Sequence, residues 1–169
     1  MASDAVADGA DRLGALAGEV LRRAARDRIM LATAESCTGG LLASLLTDVE
    51  GRSAQFDRGF VVYTDEAKTE LLGVEAIEIS RHGAVSREIA LAMAQGAIAR
   101  SNAALAVSIT GFAGPARPID EEGLVHLAVC RRGGATIHRE CHFGPAGRDR
   151  TRELAAAGAM EMLIDAMGA

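Results

Sequence analysis

Aromatic side chains are scarce in this chain. Its 169 residues include one Tyr, four Phe and no Trp, although 49% of the residues are hydrophobic. A hydrophobic core therefore has to be built mainly from Ala, Leu, Val and Ile. A chain of this length is most simply one domain, spanning residues 1–169, and it is long enough to bury a substantial core.

Positive charge is also in short supply. Lys and Arg number 18 against 23 Asp and Glu, so the formal net charge is −5. Proteins that bind nucleic acids use clustered Lys and Arg to displace counterions, so this composition argues against such a partner. No apolar run approaches the roughly 18 residues of a membrane span, and the N-terminus does not resemble a signal peptide. We expect a soluble cytoplasmic protein with no membrane partner.

Cysteine is rare, and its spacing is uninformative for metals. The three cysteines, Cys37, Cys130 and Cys141, form no C-x-x-C pair, and their number is odd. Reduced thiols are the natural interpretation, rather than a disulfide framework. The four histidines have no zinc-like spacing with carboxylates, and we interpret them as structural. We predict no metal and no cofactor.

The apolar patterns alternate between helical and strand periodicity along the chain. They predict helices over 5–26, 39–48, 65–72, 87–100 and 150–167, and strands over 29–34, 60–64, 105–110, 124–130 and 135–141. Asp65 is predicted to cap the helix that it begins, Gly73 to stop that helix, and Ser86 to mark the start of the next one. Gly133 and Gly134 predict a two-residue hairpin turn.

Strands separated by helices, followed by a hairpin and a last helix, indicate the fold class. We predict an α/β protein, a three-layer α/β/α sandwich with a mixed, mostly parallel sheet and a β-hairpin in its C-terminal half. The two-residue turn would place Cys130 opposite Ile137, which argues against a disulfide with Cys141. The polar, glycine-containing loops 35–40 and 110–115 both follow strands, and ligands bind at that edge of such sheets.

The first of these loops carries two possible nucleophiles. It contains Ser36 and Cys37, followed by Thr38, Gly39 and Gly40. A serine at a helix start is most often a cap, but this neighbourhood also suits a nucleophile beside free backbone N–H groups. Cys37 is the alternative nucleophile, because helix N-termini lower the pKa of thiols. A small buried side chain is its simpler interpretation.

Tyr63 and Lys68 form a second group of candidate residues. Lys68 lies in the first turn or so of a predicted helix, where cations are disfavoured. It is either a solvated surface lysine or a partly desolvated one, whose lowered pKa would let it take a proton from Ser36. Sequence spacing does not establish that these groups touch.

Two further features could bind an anion. The loop that contains Thr110, Gly111 and Gly114 is either a tight turn or a cradle for a phosphate or an oxyanion. Arg148 and Arg152 lie one helical turn apart, either as a solvated helix start or as two guanidinium groups facing a phosphate. Neither a Walker A nor a G-x-G-x-x-G pattern is present.

Six segments in order carry a family resemblance: AESCTGGLLASLLTDVEGRS, GFVVYTDEAKTELLGV, HGAVSREIALAMAQGA, SITGFAGP, GLVHLAV and GRDRTR. Together they resemble the CinA C-terminal domain family over nearly the whole chain, in its free-standing form. The resemblance implies hydrolysis of nicotinamide mononucleotide to nicotinate mononucleotide and ammonia. It also implies a homo-oligomer with a small-molecule nucleotide substrate.

The same resemblance implies roles for particular residues. Ser36 would be the nucleophile, Lys68 would accept its proton, and Tyr63 would relay the proton or orient Lys68. Backbone N–H groups of residues 37–40 would stabilise the oxyanion. The 110–115 loop and Arg148 would receive the phosphate.

One segment departs from the family pattern. Residues 116–122 are shorter and more acidic than the glycine-rich stretch that family members usually have there. Asp120, Glu121 and Glu122 would repel a phosphate if this loop closed over the substrate. A non-catalytic nucleotide-binding or regulatory module is therefore the alternative function. A role with DNA rests only on the family's historical name, and the acidic composition weighs against it.

Overall fold

The computed structural model of the protein describes residues 2–114 and 119–168. Within those ranges the helices are α1 (Ala2–Asp27), α2 (Leu41–Thr47), α3 (Asp65–Leu72), α4 (Ala76–His82), α5 (Arg87–Ala99) and α6 (Arg148–Met167). The strands are β1 (Leu31–Glu35), β2 (Phe56–Val61), β3 (Leu105–Gly111), β4 (Leu124–Arg131) and β5 (Thr136–His142). A 3-10 turn (Ser53–Gln55) precedes β2.

The strands form one mixed sheet in the order β2-β1-β3-β4-β5. β1 pairs in parallel with β2 and with β3, while β4 runs antiparallel to both β3 and β5. All the strands except β4 therefore point in the same direction. This arrangement confirms the predicted fold class.

Two hydrophobic clusters lie on opposite faces of the sheet. One packs α1, α2 and α6 against the sheet, and the other packs α3, α4 and α5. Alanines such as Ala155, Ala156 and Ala159 are fully buried in α6. Small side chains let the helices approach the sheet closely, as expected for a core with few aromatic rings. No helix in the described part of the chain is long and apolar enough to span a membrane.

The second strand and the helices after it differ from the prediction. β2 covers Phe56–Val61 rather than 60–64, because an edge strand with a half-exposed pattern gives little apolar alternation. Thr64, not Asp65, caps α3, since its side chain accepts the N–H of Ala67 at 3.1 Å. Helix α4 was not predicted, because it has seven residues and buries only Ile79. Helix α5 begins after Ser86 as predicted, and the Ser86 side chain caps it.

The hairpin has a different register from the predicted one. Cys130 lies opposite Thr136, whereas Ile137 lies opposite Val129. The N–H of Gly134 bonds the carbonyl of Arg131 at 2.9 Å, so the connection is one residue longer than a two-residue turn. Cys37, Cys130 and Cys141 are all free thiols.

A close contact between two helices fixes the end of α3 against α5. A Cβ atom added at Gly96 in α5 would lie 2.2 Å from the carbonyl oxygen of Leu72. A backbone oxygen cannot give way as a flexible side chain can, so only glycine permits this approach. The contact holds α3, and with it Lys68, against the same sheet face as α5.

Candidate functional site

The loop that contains Ser36 continues directly from β1. The N–H of Ser36 donates to the carbonyl of Ile109 at 3.0 Å, which extends the pairing of β1 with β3 by one residue. The chain then turns through Gly39 and Gly40, whose φ angles are 59° and 95°. A side chain is strained at such angles, so this tight passage into α2 requires glycine.

The carboxylate of Glu35 caps helix α2 from inside the protein. Glu35 is fully buried. It accepts backbone N–H groups from Gly40 at 3.2 Å, Leu42 at 3.0 Å and Ala43 at 2.8 Å, and the hydroxyl of Thr33 at 3.2 Å. A buried charge of this kind needs such a full set of partners. This role of Glu35 was not predicted from the sequence. The one sign of it there is a carboxylate at the end of an apolar strand.

These bonds narrow the choice of oxyanion donors within 37–40. Glu35 takes the N–H of Gly40, and the carbonyl of Ser36 takes the N–H of Gly39 at 3.1 Å. Among the described residues, no carbonyl or carboxylate accepts the N–H of Cys37 or Thr38. Of these two residues only Cys37 lines the cavity described below, so its N–H is the donor available to an oxyanion.

Lys68 is buried at the first turn of α3. Its side chain is 1% exposed, and its Nζ donates to the carbonyls of Tyr63 and Thr64, each at 3.3 Å. Burial lowers the pKa of Lys68, against the opposing negative charge of Asp65, whose Oδ1 lies 3.8 Å from Nζ. This environment matches the desolvated interpretation of Lys68 rather than the solvated one.

Tyr63 meets Lys68 through its backbone carbonyl. Its residue is 62% exposed, and the phenol has no hydrogen bond to Lys68. The tyrosine nevertheless lines the same cavity as Lys68. Its predicted role in proton relay or orientation remains a prediction.

Cys37 has the environment of an unreactive thiol. Desolvation by burial raises the pKa of Cys37 to about 12, with the charge of Glu35 acting in the same direction. The cations of Arg152 and Lys68 oppose that shift without cancelling it. The thiol is therefore protonated near pH 7, and the thiolate is the form that attacks. This favours Ser36 over Cys37 as the nucleophile.

A cavity of about 280 Å³ joins the predicted site residues. It is lined by Ser36, Cys37, Tyr63, Lys68, Ala84, Val85, residues 110–114 and Arg148. Three loop residues do not line this cavity, namely Thr38, Gly39 and Gly40. They contribute to the conformation of the loop that carries Ser36. Ser36 and Lys68 both line this cavity, and within the described residues no hydrogen bond joins the Ser36 hydroxyl to Nζ of Lys68.

The segment before α5 forms one wall of the 280 Å³ cavity, and this was not predicted from the sequence. Ala84 and Val85 line the cavity, and the Thr110 hydroxyl donates to the carbonyl of Ala84 at 2.8 Å. Thr110 thus ties this wall to the end of β3. A Cβ atom on Gly111 would lie 2.7 Å from Cγ2 of Val125, so Gly111 allows the strands to pack closely.

The two arginines of α6 have different partners. Arg148 lines the cavity, and its guanidinium packs over Gly114, where an added Cβ atom would lie 2.7 Å from Nη2. Arg152 instead donates from Nε and Nη2 to the carbonyl of Thr38, at 3.2 and 2.7 Å. Only Arg148 is therefore positioned to meet a ligand.

A second cavity of about 550 Å³ adjoins the first through Ala84, Val85 and Phe112. Its wall includes Asp120 and Glu121 from the acidic segment, whereas residues 116–118 of that segment lie outside the described residues. A separate groove of about 490 Å³ lies between α3 and α4. None of Ser36, Cys37 and Lys68 lines this groove.

The histidines of the hairpin sit in a hydrogen-bonded network with glutamates. His126 Nδ1 lies 3.0 Å from His138 Nε2, and His142 Nδ1 lies 2.6 Å from Glu121 Oε1. Hydrogen bonds to Glu121 and to Glu140 raise the pKa of His142. Within residues 2–114 and 119–168, no group of three or more His, Cys, Asp or Glu side chains is arranged to hold a metal ion.

The family model of the CinA C-terminal domain matches residues 14–167. The chain belongs to the CinA C-terminal domain family. This confirms the resemblance carried by the six sequence segments.

Curated relatives of this family member differ in name and in length. The nicotinamide-nucleotide amidohydrolase PncC of Escherichia coli K12 is 45% identical over 134 residues, which cover 78% of this chain and 80% of that protein. A CinA-like protein of Akkermansia muciniphila is 45% identical over 144 residues, covering 84% of this chain and 34% of that protein. This CinA-family chain thus spans about a third of the longer relatives.

Solved structures of the family share the same fold. The competence/damage inducible protein CihA from Agrobacterium tumefaciens superposes with a TM-score of 0.89 at 44% identity, covering 94% of this chain and 96% of that one. A CinA superfamily protein from Escherichia coli gives 0.86 at 34% identity, covering 91% and 90%.

Proposed function

We propose that this CinA-family protein is an amidohydrolase that converts nicotinamide mononucleotide to nicotinate mononucleotide and ammonia. The single observation that carries the proposal is that Ser36 and a buried Lys68 line one cavity. The substrate is taken from the activity for which the PncC relative is named, since that relative aligns over most of both chains.

The chemistry follows from the environments of the two side chains. Neutral Lys68 accepts the hydroxyl proton of Ser36 as Oγ attacks the amide carbon. Lys68 then returns the proton to the amide nitrogen, the C–N bond breaks and ammonia leaves. A water molecule hydrolyses the acyl-serine and releases the acid. A lysine with a lowered pKa suits both transfers better than an ordinary lysine, because a larger fraction of its amine is neutral at a given pH.

The oxyanion of the tetrahedral intermediate needs donors that are not already engaged. Preorganised N–H groups are often the largest catalytic contribution in acyl transfer. We assign this role to the N–H group of Cys37, because those of Gly39 and Gly40 serve the loop itself and Thr38 does not line the cavity. Tyr63 is assigned to orienting Lys68 or relaying its proton.

The phosphate of the substrate is assigned to Arg148 beside Gly114. A guanidinium group binds phosphate with paired donors. The acidic segment next to this site is less repulsive than its composition suggests, because Glu121 is bonded to His142. That carboxylate raises the pKa of His142 and so favours the imidazolium, which offsets its charge.

The proposal is tested by ammonia release from nicotinamide mononucleotide without added metal. Ser36→Ala should abolish release, while Ser44→Ala, an exposed serine in the neighbouring helix, should not change it. Full activity in Ser36→Ala would refute the nucleophile assignment. Release from another amide but not from this nucleotide would keep the chemistry and overturn the substrate.

The acidic wall formed by Asp120 and Glu121 favours one alternative, a non-catalytic nucleotide-binding module. On that hypothesis, calorimetry detects binding of the nucleotide, but no ammonia accumulates over long incubation.

A further inference from the structure

The loop from Ser36 to Gly40 is held between two opposite charges. The first charge is the buried carboxylate of Glu35, which accepts the N–H groups at the start of α2. The second charge is the guanidinium of Arg152, whose Nε and Nη2 both donate to the carbonyl of Thr38. The two anchors contact different groups of the loop, so neither replaces the other.

We propose that Arg152 is a positioning residue for the amidase reaction, holding the Thr38–Gly39 peptide so that Ser36 and the N–H group of Cys37 keep their catalytic arrangement. This inference rests on the proposed function. It adds a residue that does not line the cavity and that acts through the nucleophile loop alone.

The need for an outside anchor follows from the glycines. Gly39 and Gly40 both have positive φ angles, and residues without a Cβ atom rotate into other conformations at little cost. The carbonyl of Thr38 also accepts the N–H of Leu41 at 3.2 Å, a bond that a loop rotation would break. Two charge-assisted bonds from Arg152 hold that carbonyl in place.

Arg152 reaches this loop from a distant part of the chain. It lies 114 residues after Thr38, and its neighbour Thr151 is fully buried. Its charge also lies near Cys37, where it favours the thiolate against the effect of Glu35. Its bonds to the carbonyl of Thr38 place the guanidinium one residue along the chain from Cys37, whose N–H is assigned to the oxyanion.

Arg148 and Arg152 form a matched pair that separates positioning from binding. They are one turn apart on α6, and one lines the cavity while the other bonds the loop. Loss of an interaction made with the substrate in ground and transition states raises KM alone, whereas loss of alignment lowers kcat. The two arginines should therefore give opposite kinetic signatures.

The experiment compares Arg152→Met, Arg152→Lys, Arg148→Met and Arg150→Met, with Arg150 as an exposed control that pairs with Glu153. Because a misplacement of about 1 Å can cost roughly a hundredfold in rate, we expect Arg152→Met to lower kcat by about that factor with little change in KM. Arg152→Lys should be intermediate, and Arg148→Met should mainly raise KM. Arg150→Met should match the native protein.

Two further measurements exclude a purely structural explanation. Added methylguanidinium should restore part of kcat in Arg152→Ala, which a general loss of stability would not allow. The rate at which a fluorophosphonate labels Ser36 should also fall in Arg152→Met, and this readout needs no amide substrate. Melting temperatures of all variants establish that they are folded.

The outcomes distinguish the inference from the function on which it rests. If the native protein turns over amides and Arg152→Met keeps its kcat and labelling rate, the positioning role is wrong while the function stands. If the native protein releases no ammonia but Arg152→Met slows labelling of Ser36, the function fails and the positioning role stands. If Ser36 is neither labelled nor active in the native protein, both are wrong.

Discussion

Lys68 is the residue whose replacement tests the proposed chemistry most directly. A positioned general base contributes roughly a hundredfold to ten-thousandfold to the rate, so Lys68→Met should lose activity within that range. Lys68→Arg should lose a similar amount, because a guanidinium stays protonated in proteins. Both variants keep an elongated side chain in the buried site, so the loss would reflect chemistry rather than a cavity.

Stability should change far less than activity. Met at position 68 removes the cost of burying a cation but leaves the carbonyl of Tyr63 without its partner. An unpartnered buried acceptor costs about 1–3 kcal/mol, and relief of charge burial acts in the opposite direction with a comparable size. The carbonyl of Thr64 keeps the backbone N–H of Lys68 as a donor at 3.2 Å. We therefore expect Lys68→Met to melt close to the native protein.

The pH dependence supplies a second readout for Lys68. Only the neutral amine accepts a proton, so kcat/KM should rise with pH up to an inflection that lies below 10.5, the ordinary pKa of lysine. The lowered pKa also means that the unfolded chain binds the proton more tightly. The free energy of unfolding should therefore increase as the pH rises from below the folded pKa towards 10.5, and Lys68→Met should lack that increase.

The assay is ammonia release followed over a range of pH, with Ser36→Ala, Lys68→Met and the double variant compared. Residues that act as a unit are not additive, so the double variant should be no slower than the slower single variant. Lys68→Arg with near-native kcat would refute the role of general base. Multiplying losses in the double variant would show that Ser36 and Lys68 act independently.

Three further predictions concern the rest of the site. Gly114→Ala should raise KM with little loss of stability, because the new Cβ would lie 2.7 Å from the Arg148 guanidinium, a flexible group that can move away. Cys37, with its pKa raised to about 12, should resist alkylation at neutral pH until the protein is unfolded, as followed by mass spectrometry. His142→Gln should remove a stabilising contribution that, because Glu121 raises the folded pKa, is present below about 6.5 and lost as the pH rises through the raised value; melting curves across pH check it.

Elements with a strong local pattern were predicted well. Neighbouring residues encode the start of α5 at Ser86, the positive-φ stop at Gly73 and the buried strand β3. β2 and α4 were misplaced or missed, because an edge strand and a short exposed helix bury too little apolar surface to leave a periodic pattern. The hairpin register differed by one residue because the turn is longer than two residues.

The sequence alone predicts polar, glycine-containing segments where β1 and β3 end, and therefore that Ser36 and Thr110 lie at one edge of the sheet. It also determined the glycines that the turn at 39–40 requires, because φ preferences are local. The sequence does not show that Lys68 is buried, that Glu35 caps α2 or that Arg152 holds Thr38. These features are visible in the tertiary structure alone. Burial and contacts between distant residues arise from packing, and no local pattern specifies them.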